Sequence, residues 1–99
     1  MWDELGELGR RCLVLNQPGC YPARAIPGVL VSGFVAVDLK RAVSPKTQVA
    51  PLEALGYKID VDTRDCAGNP DVLFRELDAC LASREAAVKH FLDAEEWDF

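Results

Sequence analysis

Apolar positions in the first third of the chain come in two tight runs, Leu13-Val14-Leu15 and Val29-Leu30-Val31. Between them lie Pro18, Pro22 and Pro27. Each proline fixes one backbone angle and removes one amide donor, so residues 16–27 form a stiff loop rather than helix or inner strand. The pattern predicts a strand over 12–15 and a second over 29–37. In the second, Val29, Val31, Val35 and Val37 alternate with Leu30, Phe34 and Ala36, so both sides are apolar. That is expected of a strand covered on both faces, as in the centre of a mainly parallel sheet. Ahead of these, residues 3–9 predict a short helix with acidic residues in its first turn, Leu5 and Leu8 on one narrow face, and Gly9 as its stop.

The remainder is less uniform. Residues 40–49 are polar, include Pro45 and show no period, which predicts a surface loop. Residues 51–56 begin with proline and end with glycine, the signature of one or two helical turns. Residues 57–62, Tyr-Lys-Ile-Asp-Val-Asp, alternate apolar with charged and predict a half-exposed strand at a sheet edge, and 63–68 predict a turn. Asn69-Pro70 supplies a side-chain cap and a proline at the first helical position, opening a helix that should run to about Glu95. At about 100° per residue, Leu73, Leu77, Cys80, Leu81, Val88, Phe91 and Leu92 share the face expected to pack on the sheet.

These elements predict an α/β fold: a small, mainly parallel or mixed sheet of about three strands, packed against a long C-terminal helix and a short N-terminal helix. A length of 99 residues fits one domain over 1–99. Arg84 interrupts the apolar stripe of the long helix. A buried guanidinium without a partner is very costly, so Arg84 either snorkels to water or forms a structural ion pair, with Asp60 or Asp62 as candidates.

Composition narrows the function classes. Hydrophobic residues at 49% and charged residues at 27% are those of a folded globular chain. A net charge of −5, with no run of Lys and Arg, argues against nucleic acid as a partner. No apolar run approaches the roughly 18 residues of a membrane span, and the start MWDELGEL lacks the basic-then-apolar order of a secretory signal. A cytoplasmic location is expected, with Cys12, Cys20, Cys66 and Cys80 as thiols; a Cys20–Cys66 bridge between loops stays open as an alternative.

Little catalytic chemistry is legible. The one histidine, His90, falls off the apolar stripe and reads as a solvated surface residue rather than a base for Cys20. The cysteine spacings do not match a zinc site, and Asp60-x-Asp62-x-Arg64-Asp65 places Arg64 and Asp65 where a calcium loop needs an oxygen ligand and then glycine. Asn16, Gln17 and Tyr21 sit at the carboxyl end of the first strand, where open α/β sheets present ligand-contacting residues, and are candidates to line a substrate pocket.

One series of residues carries further. Trp2-Asp3-Glu4-Leu5, Gly9-Arg10-Arg11, Cys12 to Asn16, Pro18-Gly19-Cys20-Tyr21-Pro22 and Gly28-Val29-Leu30-Val31-Ser32-Gly33-Phe34 come first. Gly56 to Asp62, Arg84 and Trp97-Asp98-Phe99 complete it. In that order they resemble the middle section of type I phosphodiesterases/nucleotide pyrophosphatases of the alkaline phosphatase superfamily. The resemblance implies a parent that hydrolyses phosphodiester or phosphoanhydride bonds with two metal ions, commonly zinc, and a Thr or Ser nucleophile. Those groups lie outside the matching segment, so it implies no catalytic residue, metal or cofactor in this chain, and a phosphoester substrate only in a full-length parent. Residues 16–22 would border the pocket, and 40–67 would belong to an insertion covering it. In the family Trp-Asp-Phe leads into another core strand. A chain with these strands alone would leave sheet edges and apolar faces uncovered, so a homodimer or higher oligomer is expected.

Overall fold

A computed structural model of the protein describes residues 2–61, 64 and 66–99. The elements are α1 (Trp2–Glu7), β1 (Cys12–Gln17), β2 (Gly28–Ser32), α2 (Leu39–Ala42), β3 (Val43–Ser44), a 3-10 turn (Lys46–Gln48), α3 (Val49–Ala54) and α4 (Pro70–Ala94). The sheet order is β1-β2-β3, with β1 and β2 parallel and β3 antiparallel to β2. It is thus a small mixed sheet flanked by a long C-terminal and a short N-terminal helix.

Alternation along the strands divides the interior in two. Val29 and Val31 point to the face where Val43, Leu52, Tyr57, Ala87 and Phe91 pack, with Leu13 and Leu15 against them. Cys12, Val14 and Leu30 point to the other, where Trp2, Leu5 and Ile26 cover them. Side chains on a strand alternate with a period of two, so a sheet apolar on both sides must be covered on both sides. Here α4 and α3 cover one face, and α1 with the proline-held loop covers the other. At Gly28 (φ 133°) a Cβ would lie 1.9 Å from the Cys12 carbonyl oxygen, so only glycine allows β2 to start against β1.

The structure corrects several boundaries. β2 ends at Ser32 rather than at residue 37, because the chain turns at Phe34-Val35 and Ala36 N–H bonds to the Gly33 carbonyl at 2.9 Å. Phe34, Val35 and Val37 are exposed. Residues 40–49 are not a featureless loop. Asp38 caps α2 by accepting from Lys40 N–H at 3.0 Å, and Ala42 and Val43 are fully buried. Leu8 is 76% exposed and does not share a packed face with Leu5.

The third strand is β3, and the described part of 57–62 is not a strand. Its alternation has another cause: the segment runs beside α4, whose side chains take its backbone groups. Lys58 N–H donates to Ser83 Oγ at 3.1 Å, Cys80 Sγ donates to the Lys58 carbonyl at 3.8 Å, and Arg84 Nη2 donates to the Ile59 carbonyl at 2.9 Å. The expected turn over 63–68 includes Thr63 and Asp65, which lie outside the described residues, as does Asp62.

α4 begins as its sequence requires, with Asn69 Oδ1 accepting from Val72 N–H and proline in the first turn. The face it buries is Cys80, Ser83, Ala87 and Phe91, so of the predicted stripe only Cys80 and Phe91 are buried and the buried face is rotated toward Ser83 and Ala87. Leu77, Leu81, Val88 and Leu92 remain exposed. Beyond α4 the chain returns to β1. Asp98 accepts from Arg11 N–H at 2.9 Å, Phe99 N–H donates to the Arg11 carbonyl at 3.3 Å, and Leu13 N–H donates to the Phe99 carbonyl at 2.8 Å. Glu95 pairs with Arg11 at 2.6 Å, and the Arg11 guanidinium lies 5.4 Å from the Trp97 ring centre.

Candidate functional site

The carboxyl ends of β1 and β2 gather the polar groups that the core does not need for packing. β1 carries one extra residue relative to β2 between Leu15 and Gln17, and that residue, Asn16, adopts a left-handed backbone (φ 58°). Asparagine tolerates this region better than most residues, and a bulge re-aims the side chain of the residue it adds. Gly33 packs against it so closely that a Cβ there would stand 2.4 Å from the Asn16 carbonyl oxygen.

The Asn16 carboxamide lies between two groups of other elements. The orientation that satisfies both turns its oxygen to Arg84 Nη2 at 3.1 Å and its nitrogen to the Ile59 carbonyl at 3.0 Å. Arg84 Nη2 also donates to that carbonyl. Neutral acceptors thus meet the guanidinium; of the two candidates for an ion pair, Asp60 does not bond it, and Asp62 lies outside the described residues. Asp60 is exposed and its carboxylate accepts from Val61 N–H at 2.8 Å. A carbonyl and an amide oxygen solvate the cation without burying a second charge, which lowers the desolvation cost.

Tyr57 stands on the same side of the sheet. Its hydroxyl and the Arg84 Nε are buried without a hydrogen-bond partner among the described residues. Burial pushes the Tyr57 pKa above its ordinary value; the Arg84 charge works against that rise and Cys80 adds to it. Tyr57 is therefore a neutral phenol at physiological pH, able to donate a hydrogen bond but not to act as a base. It borders an open groove of about 560 Å³ whose walls include Val37, Leu39, Ile59 and Val72 and whose rim holds Lys58 and Glu76, paired at 3.4 Å.

The three predicted pocket residues do not converge. Tyr21 lines a separate, smaller cleft of about 220 Å³ with Gly19, Cys20, Pro22 and Arg24, and the Arg41 guanidinium lies 5.5 Å from its ring centre. Asn16 is committed to Arg84 and Ile59, and Gln17 is exposed. Neither lines one of these two clefts.

No family model, curated protein or solved structure matches this chain.

The two described serine hydroxyls at the site are engaged with carbonyls: Ser32 Oγ donates to Cys20 O at 2.7 Å and Ser83 Oγ to Cys80 O at 2.8 Å. His90 sits edge-on to Phe91 with ring centres 5.1 Å apart, and no hydrogen bond joins it to Cys20. Among the described residues no three His, Cys, Asp or Glu side chains converge as a metal site. Cys12 and Cys80 are buried, and no disulfide joins Cys20 to Cys66. No described helix is long and apolar enough to cross a membrane.

Asn16 and Arg84 were each visible in the sequence, one as a strand-end polar residue and the other as a charge in an apolar stripe. Their meeting was not, because it depends on which helical face turns inward. The Lys58–Glu76 rim was missed for the same reason.

Proposed function

We propose that this chain is a supporting, non-catalytic segment or cap-type part of a metal-dependent phosphodiesterase/nucleotide pyrophosphatase of the alkaline phosphatase superfamily. The parent would hydrolyse phosphodiester or phosphoanhydride bonds. The junction at Asn16 carries this reading. Three of the stretches that bear the resemblance, separated along the chain, meet there: Asn16 at the end of β1, Ile59 in the Gly56-Tyr57-Lys58-Ile59 stretch, and Arg84 of α4. The pairing of Asp98 and Phe99 with Arg11 and Leu13 gives the final Trp-Asp-Phe the course of an incipient strand beside β1. Zinc and the nucleophile would come from flanking segments of such a parent, whose location would be cytoplasmic.

The coding sequence on either side of Met1 and Phe99 tests the reading. In-frame flanks carrying clustered Asp and His and a Thr or Ser nucleophile are the expected result, and unrelated flanks on both sides overturn it. The purified chain should not turn over bis-p-nitrophenyl phosphate with added zinc; turnover that survives purification would remove the word non-catalytic.

A second reading, an independent small α/β binding or oligomerisation module without hydrolase activity, is favoured by one observation: the apolar stripe that α4 leaves exposed.

A further inference from the structure

Phe74, Leu77, Leu81, Val88 and Leu92 are exposed on α4, the first, third and last at 62%, 60% and 57%. At about 100° per residue the five lie within an arc of about 60°, centred about 100° round the helix from the buried face of Cys80, Ser83, Ala87 and Phe91. From Phe74 to Leu92 the stripe is about 27 Å long. Single exposed apolar residues need no account, whereas a contiguous helical stripe marks a contact surface.

The charges beside the stripe indicate what covers it. On the flank facing away from the body of the protein lie Asp78, Glu85 and Lys89, all exposed, with Lys89 paired to Glu85 at 2.9 Å. We propose that α4 pairs with α4 of a second copy in antiparallel orientation, about a two-fold axis that crosses the stripe at the level of residue 83. In that register Phe74 meets the partner's Leu92 and Leu77 meets the partner's Val88. In an antiparallel pair the same flank of each helix faces its counterpart, so Asp78 stands opposite the partner's Lys89, and the symmetry makes the pair twice. In a parallel, in-register dimer the same two groups are about 16 Å apart along the axis. The sign pattern therefore selects both the occupant and its direction. One helix pair is smaller than a standard interface, which places the contact in the weak, concentration-dependent class.

The proposal does not depend on the hydrolase reading, which is decided by flanking sequence and not by mass. Sedimentation equilibrium of the 99-residue chain through the micromolar range tests it. The expected result is a dimer of twice the 10.9 kDa chain mass. Asp78→Lys, which sets two lysines opposite each other, should weaken association at least several-fold, and Asp78→Lys with Lys89→Asp should restore it. Far-UV circular dichroism of each variant should match the parent, because both positions are exposed. A monomer at all concentrations, which would leave the stripe for some other partner, overturns the proposal. So does a double variant that associates no better than Asp78→Lys.

Discussion

Asn16 of β1 and Arg84 of α4 are joined by a 3.1 Å hydrogen bond that ties the carboxyl end of the sheet to the middle of the long helix. The contact answers two local problems at once. A bulged residue with positive φ gains a fixed side chain, and a half-buried guanidinium gains an acceptor.

Removing that amide should be costly. Asn16→Ala removes one hydrogen bond each from Arg84 and the Ile59 carbonyl, which still bond each other, and places alanine in the left-handed region. A loss of about 2–4 kcal/mol is expected from the two lost hydrogen bonds plus the backbone strain. Asn16→Gly relieves the strain alone, so it should lose less. Urea unfolding midpoints of the two variants separate the contributions.

Ser83→Ala should destabilise by about 1–3 kcal/mol, because the Lys58 N–H loses its acceptor in a part-buried position. The check is amide exchange: Lys58 should lose protection while the β1 and β2 amides keep theirs.

The β1–β2 sequence signal was strong for a specific reason. Leu13-Val14-Leu15 and Val29-Leu30-Val31 are apolar on both faces, and few arrangements other than a doubly covered sheet accept such runs. The cap at Asn69-Pro70 was legible because it is local. What could not be read was tertiary. Tyr57-Lys58-Ile59 alternates like a strand, yet its backbone is satisfied by Ser83, Cys80 and Arg84. The leucines of α4 formed the most apolar arc, yet the helix turns Ala87 and Ser83 inward, where small side chains allow close approach. Beyond Ser32, valine and phenylalanine continue the strand pattern, but the close contact of Gly33 with Asn16 and the turn that follows end the strand.

Tyr57 gives a pH prediction. Its folded pKa is raised by burial, so the folded state holds the phenolic proton more tightly than the unfolded chain. The resulting stability is complete below the unfolded value, near pH 10, and is lost as pH rises through the folded value. Tyr57→Phe should flatten this alkaline decline. At neutral pH it should be neutral or stabilising by up to about 1 kcal/mol, since the buried hydroxyl has no partner among the described residues. Thermal midpoints of both proteins between neutral and strongly alkaline pH check the sign.

Val35 has a φ of 69° and is exposed, an arrangement that branched side chains resist. Val35→Gly should therefore stabilise by about 1 kcal/mol, read as a rise in the urea midpoint with the slope unchanged.

Gly28→Ala should be severe. Its Cβ would fall 1.9 Å from the Cys12 carbonyl oxygen, and φ is positive as well. A loss above about 4 kcal/mol is expected. Loss of the cooperative unfolding transition would show it.

The helix side chains that serve residues 57–59 also imply an order of assembly. Two of these links, from Ser83 to Lys58 and from Arg84 to Ile59, close loops of 25 residues, and the partner surface exists only once that stretch of helix has wound. The segment can therefore satisfy its backbone groups only after that stretch of α4 has formed.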